Sequence, residues 1–149
     1  MKNVLIFAFV CLLLSCSKEN LGTVNAYLGQ EIKLQEGQSA LYQNTGYDVA
    51  AVVKLKVEDV SDSRCPSDVV CFTYGRVEVT LAVGSGNGKG ETITMCLGDC
   101  DGGSRFEDTA KVVVGALPYE IRLQSVTPLP TIKDKFSQTK EVQLVLERL

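Results

Sequence analysis

Residues 76–83, RVEVTLAV, alternate valine and leucine at odd positions with arginine, glutamate, threonine and alanine at even ones. Such a period of two puts one set of side chains on a buried face and the other in water, which is a β-strand with a single wet side. The same period recurs outward in both directions: Val53–Glu58, Thr92–Leu97, Tyr119–Gln124 and Glu141–Leu146. Shorter runs with the same habit are Glu31–Leu34, Ser39–Tyr42 and Lys111–Val114. About eight strands are therefore expected, separated by turn-forming residues: Glu36-Gly37, Asn44-Thr45-Gly46, Gly84–Gly90, Gly102-Gly103 and Pro128-Leu129-Pro130. No segment sustains helical periodicity over three turns, and Thr131–Thr139 is the one place for a short helix or a long loop. These observations predict an all-β domain, an antiparallel β-sandwich or partly open barrel, Ig-like in general architecture.

The beginning of the chain has a different character. Lys2 precedes an uncharged apolar run, Val4–Leu14. The run fits the core of an export signal and is short of the about 20 residues a membrane span needs. It closes on Leu13-Leu14-Ser15-Cys16, which resembles the lipobox of bacterial lipoproteins. The resemblance implies cleavage before Cys16 and a diacylglycerol on its sulfur, holding the mature chain on a membrane that it does not cross. Ser17, where an aspartate would imply inner-membrane retention, implies the outer membrane or cell surface of a Gram-negative bacterium. Lys18-Glu19 is similar to the short charged signal of Bacteroidetes-type surface lipoproteins. The expected organisation is a signal peptide over residues 1–15, a lipidated tether over 16–26, whose Leu21–Ala26 could run into a first edge strand, and a single β domain over 27–149.

Composition excludes several kinds of chemistry. The chain has no histidine, which removes the commonest general base, the commonest zinc ligand and every Ser-His or Cys-His arrangement. Its net charge is −3 and it has no basic cluster, so nucleic acid is not an expected partner. The absence of tryptophan removes the best stacking platform for sugars.

Of six cysteines, Cys11 falls in the signal and Cys16 at the anchor. Cys65, Cys71, Cys96 and Cys100 remain, and an exported chain is expected to pair them. Three connectivities exist; Cys65–Cys71 and Cys96–Cys100 are favoured because each pair is close in sequence across turn-forming residues, Pro66-Ser67 and Gly98-Asp99. A four-thiolate zinc site is disfavoured by the C-x5-C and C-x3-C spacings, since zinc ribbons use C-x-x-C knuckles. Neither a metal nor a cofactor is expected. The glycine-rich GSGNGKG, residues 84–90, lacks the Walker spacing and the following helix, and reads as a hairpin loop.

Candidate contact residues lie in loops: Asp62, Arg64 and Asp68 around the first cysteine pair, Asp99 and Asp101 around the second. Asp99 and Asp101, with Glu107 and Asp108, could offer oxygen ligands to calcium, but the EF-hand template fails because its fifth position is Gly103 and its twelfth Ala110. Glu58, Asp59 and Asp62 read as an acidic strand end, with Asp62 capping the turn and Arg64 pairing locally. Arg64 or Arg76 on a disulfide-tightened loop could also serve as the inserted side chain of an enzyme inhibitor.

Asp62-Ser63-Arg64-Cys65-Pro66, then Cys71, Gly75 and an alternating strand, resembles a group of uncharacterised bacterial lipoproteins and secreted β domains. Gly37-Gln38-Ser39-Ala40 and Val126-Thr127-Pro128-Leu129-Pro130 extend the resemblance loosely over most of the mature chain. It supports a sandwich and the Cys65–Cys71 bond and implies no activity. That group often has tryptophan two residues after the second cysteine; here Thr73 stands there, and Phe72 or Tyr74 is expected to fill the space. The functional expectation is a non-catalytic, lipid-anchored module that binds a protein or glycan, with an inhibitor or accessory subunit of an exported enzyme as the alternative.

Overall fold

A computed structural model describes residues 21–43, 52–86, 90–134 and 138–149. The expected signal and Cys16, the turn Asn44-Thr45-Gly46 and the tip of the Gly84–Gly90 loop lie outside these residues, as does the middle of Thr131–Thr139. Among the described residues there are ten strands and no helix: β1 Thr23–Tyr27, β2 Glu31–Gln35, β3 Ser39–Gln43, β4 Val53–Asp62, β5 Arg76–Ser85, β6 Glu91–Cys100, β7 Gly103–Arg105, β8 Asp108–Val114, β9 Leu117–Thr127 and β10 Glu141–Arg148. They form a six-stranded sheet in the order β1-β3-β4-β5-β6-β7 and a four-stranded sheet in the order β2-β10-β9-β8. The all-β sandwich read from the alternation is the fold.

Three details correct the expectation. There are ten strands rather than about eight, because β1 falls in the segment counted with the tether and the three-residue β7 was not anticipated. β1 begins at Thr23, so strand structure reaches well into that segment. The sheets are not purely antiparallel, since β1 pairs with β3 in parallel. The cause is topological. The chain runs along β1, crosses to the other sheet for β2, and returns to the first sheet as β3, so two reversals leave β1 and β3 pointing the same way.

Both corners use the same device. In Tyr27–Gln30 and Gln35–Gln38 the fourth amide donates to the first carbonyl, at 3.1 and 3.0 Å. The third residue of each is a glycine with positive φ, Gly29 and Gly37, as a type II turn requires. A glutamine closes each turn and accepts the first residue's amide on its side-chain oxygen, Gln30 for Tyr27 and Gln38 for Gln35.

The core is the sum of the inward-facing sets. Val77, Val79, Leu81 and Val83 of β5 face Tyr119, Ile121 and Leu123 of β9 and Val142, Leu144 and Leu146 of β10, all essentially inaccessible. Two of the largest buried side chains, Tyr42 and Tyr119, carry hydroxyls with no hydrogen-bond partner among the described residues. Burial pushes the Tyr42 phenol up, so it stays neutral and leaves an unsatisfied dipole in the core.

Two bulges break the alternation at one end. In β4 the register shifts between Val57 and Asp59, so Val57 opposes Leu81 but Val60 opposes Val79 and Asp62 opposes Val77. The inward set changes from odd to even residues, and Asp62 turns into the space between the sheets. In β9 the pairing passes from Ser125↔Gln143 to Leu123↔Leu144, which brings Val126 inward.

Tyr42→Phe and Tyr119→Phe are expected to leave stability unchanged or raise it by about 1 kcal/mol, read as a higher urea midpoint at constant slope, because each removes an unpaired buried hydroxyl. Gly75 and Gly29 both have positive φ, but only at Gly75 would a Cβ meet backbone, the Ser63 carbonyl. Gly75→Ala should therefore cost roughly 1–3 kcal/mol more than Gly29→Ala in the same denaturation experiment. Equal costs would contradict the close approach.

Candidate functional site

The end of the sandwich reached by β4, β5, β6 and β9 carries both cysteine pairs and every candidate residue among those described. The disulfides are Cys65–Cys71, with Cα atoms 5.9 Å apart, and Cys96–Cys100, with Cα atoms 6.1 Å apart. Both expected pairings are present, and both fit an oxidising, extracytoplasmic environment. Residues four apart in an extended strand would be separated by about 13 Å. The Cys96–Cys100 pair meets because β6 bends sharply at Gly98, whose φ is +94° and whose Cβ would strike the Gly75 carbonyl.

Beneath the loops lies a buried ion cluster. Asp62 Oδ1 accepts from Arg64 Nε at 2.8 Å and from the Arg64 amide at 3.2 Å. Its Oδ2 accepts from Arg64 Nη2 at 2.7 Å and from Lys140 Nζ at 3.0 Å. Arg64 Nη1 donates to the Val126 carbonyl at 2.9 Å, and Lys140 Nζ to the Pro128 carbonyl at 2.8 Å. The cluster joins the end of β4 in one sheet to the end of β9 and the approach to β10 in the other. The three side chains are at most 9% exposed. Burial by itself would push the Asp62 carboxyl up; the hydrogen bonds from Arg64 and Lys140 and the guanidinium charge outweigh it, holding Asp62 below the usual carboxylate range.

The loop above is tied down at each stem. Ser63 N donates to Arg76 O at 2.8 Å and Cys65 N to Tyr74 O at 2.7 Å, extending the β4–β5 ladder past the strands. Asp99 Oδ2 accepts from the amides of Tyr74 and Gly75, each at 3.1 Å. On the other flank Ser67 N donates to Pro130 O at 2.9 Å, and Asp68 Oδ1 accepts from Ile132 N at 3.0 Å.

These contacts reassign the candidates. Asp62 and Arg64 are largely buried and joined to each other, with Asp62 at the edge of one surface hollow and Arg64 at the edge of another. Arg64 is 8% exposed and is not presented as an inserted side chain, whereas Arg76 is 40% exposed and pairs at the surface with Glu78 and Asp101. Asp68 and Asp99 hold backbone amides. Asp108 accepts from the Cys96 and Thr109 amides and from Arg105, and Glu107 pairs with Arg122. Asp101 alone projects fully into solvent. Among the described residues no group of three or more histidine, cysteine or acidic side chains is arranged to hold a metal ion.

The loop end also presents apolar side chains. Val70 and Phe72 are fully exposed, at 101% and 106%, and Tyr74, Phe106 and Ile132 are also exposed. Phe72 therefore does not fill the space expected of it; it points away from the core. A hollow of about 490 Å³ lies against the disulfide, lined by Cys65, Pro66, Val69, Val70, Tyr74 and Leu129. A groove of about 250 Å³ adjoins it through Tyr74 and Leu129 and runs to Leu97, Phe106 and Val126. Lys140 and this apolar rim were not anticipated. Val70, Phe72 and Tyr74 sit at alternate positions in VVCFTY, which reads as core; Lys140 has no local signature.

Compared with protein-family models, curated proteins and solved structures, the chain shows no significant match to any.

Asp62 should make stability pH-dependent in a defined direction. With its carboxyl held below its unfolded value, near 3.9, the unfolded chain binds the proton more tightly, so the contribution is present above about pH 4 and lost as pH falls through the folded value. At neutral pH Asp62→Asn should cost about 3 kcal/mol, because two buried cations lose their anion. The gap between wild type and variant in denaturant titrations should close as pH falls below about 4; a constant gap would remove the carboxylate from the account.

Proposed function

We propose that the protein is an exported, lipid-anchored module of a bacterial envelope, at the outer membrane or cell surface, that works by non-catalytic contact through its loop end. The observation that carries this reading is the exposure of Val70 and Phe72 on a loop tied by a disulfide and backbone hydrogen bonds. An apolar group held out of the core by a rigid frame loses little conformational freedom when it meets a surface. Asp62, Arg64, Asp68 and Asp99 hold the frame, and the apolar rim stands out from it beside the exposed Asp101. Export is supported by two disulfides of the kind exported domains carry, and anchoring by the Leu13-Leu14-Ser15-Cys16 sequence. The partner class is a membrane at Cys16 together with a protein or glycan of the envelope.

In envelope fractions the N-terminal peptide is expected to begin at Cys16 and to carry acyl chains by mass spectrometry, and Cys16→Ala should release the domain from detergent-phase partitioning. A chain starting elsewhere without acylation would remove the anchor. Val70→Ser with Phe72→Ser should change folding stability by no more than about 0.5 kcal/mol while abolishing crosslinks from the loop to envelope components.

A further inference from the structure

The anchor and the apolar loop are related by the path of the chain. β1 runs in parallel with β3, and Thr23 lies level with Ser39, which opposes Lys56 of β4. Two residues earlier, Leu21 sits against Gly37, with its Cδ1 3.6 Å from where a Cβ would be. Gly37 N in turn donates to Val57 O. Leu21 is thus level with the middle of β4, and β1 runs from there away from the disulfide loops.

Beyond that level β4 continues to Asp62, and its ladder runs on to Cys65. The loop end therefore projects about 20 Å past Leu21. Five peptide units separate Cys16 from Leu21, a reach of at most about 18 Å. The tether is shorter than the projection. A domain held by an acyl group at Cys16 therefore cannot stand clear of the bilayer with its strands upright, and with the loop end downward that end meets the surface.

We propose that the occupant of the Val70–Phe72–Tyr74 rim is the bilayer surface itself. This rests on acylation at Cys16. The chemistry of the rim fits an uncharged interface. The segment Cys65–Gly75 contains no lysine or arginine, and its one acidic side chain, Asp68, is engaged by the Ile132 amide. Valine, phenylalanine and tyrosine enter the boundary between headgroups and acyl chains through apolar area, without attraction to anionic lipid. Such a patch is too small to hold the domain by itself. The acyl anchor raises its effective concentration at the surface, which converts weak partitioning into stable orientation.

The chain has no tryptophan, so one introduced indole reports alone. Phe72→Trp places it on the loop, and Tyr27→Trp places it on an exposed position at the opposite end of β1. Purified acylated full-length mature protein is reconstituted in phosphatidylcholine vesicles, with and without lipids brominated near the headgroup. The indole of the Phe72→Trp variant is expected to shift to the blue and to be quenched about twofold by the brominated lipid, with that of the Tyr27→Trp variant unchanged. Added phosphatidylglycerol or high salt should alter neither result. Equal quenching in the two variants, in protein whose acylation is verified by mass, overturns this inference alone. A blue shift without lipid quenching places the indole against the protein itself, within one molecule or between copies, and also overturns it. An unmodified Cys16 in the same sample removes both the tether and the anchored reading.

Discussion

The contact between Asp62, Arg64 and Lys140 is the constraint on which the loop end depends. A sandwich can bury apolar residues along its length, but its ends must close over strand termini whose carbonyls have lost their ladder partners. Here the Val126 and Pro128 carbonyls are taken by Arg64 and Lys140, and both cations meet one carboxylate. Removing charges from water is costly and a pair seldom repays it. This cluster offsets the cost by also donating to the Val126 and Pro128 carbonyls, so its value lies in geometry as much as in attraction. It fixes where β4 leaves one sheet and β9 leaves the other, and so where the Cys65–Cys71 loop begins.

The bulge in β4 is what makes that cluster possible. Continued alternation from Val53, Leu55 and Val57 would have pointed Asp59 and Ser61 inward and Asp62 into solvent. The extra residue at Glu58 reverses the phase, so Val60 and Asp62 face the other sheet. The register shift near Gln124 in β9 brings Val126 inward at the same end. Strand sequences that look interrupted are therefore continuous once the bulges are counted, and the interruption is what delivers a carboxylate to the interior.

This explains what could be read from the sequence. Strands with unbroken alternation, such as Arg76–Val83 and Glu141–Leu146, were legible because period two is a local property. The cysteine pairs were legible because four- and six-residue separations bridged by turn residues leave little choice. The Asp62–Arg64 contact was visible as a local pair, but its burial was not, since that depends on a bulge and on Lys140, remote in sequence. The place of β1 was hidden because parallel pairing with β3 requires knowing that β2 crosses to the second sheet. The exposed rim was hidden for the opposite reason: apolar residues at Val70, Phe72 and Tyr74 look like another inward set, and only the closed loop shows that they have no interior to face.

The disulfide gives that exposure a physical basis. A groove lined by Leu97, Phe106 and Val126 lies beside the loop and offers apolar surface. Burying a phenylalanine contributes about 1.5–3 kcal/mol, so an unconstrained loop would tend to fold Phe72 back onto the domain. Closing a loop of this length contributes about 2 kcal/mol through the unfolded state, too little to explain its presence in a domain with this much buried hydrocarbon. Its effect is on position. Cys71 is bonded to Cys65, Cys65 is fixed by the Tyr74 carbonyl, and Tyr74 and Gly75 are held by Asp99. Phe72 lies between two fixed points and is held outward. The same frame that closes the core thus keeps an apolar side chain out of it.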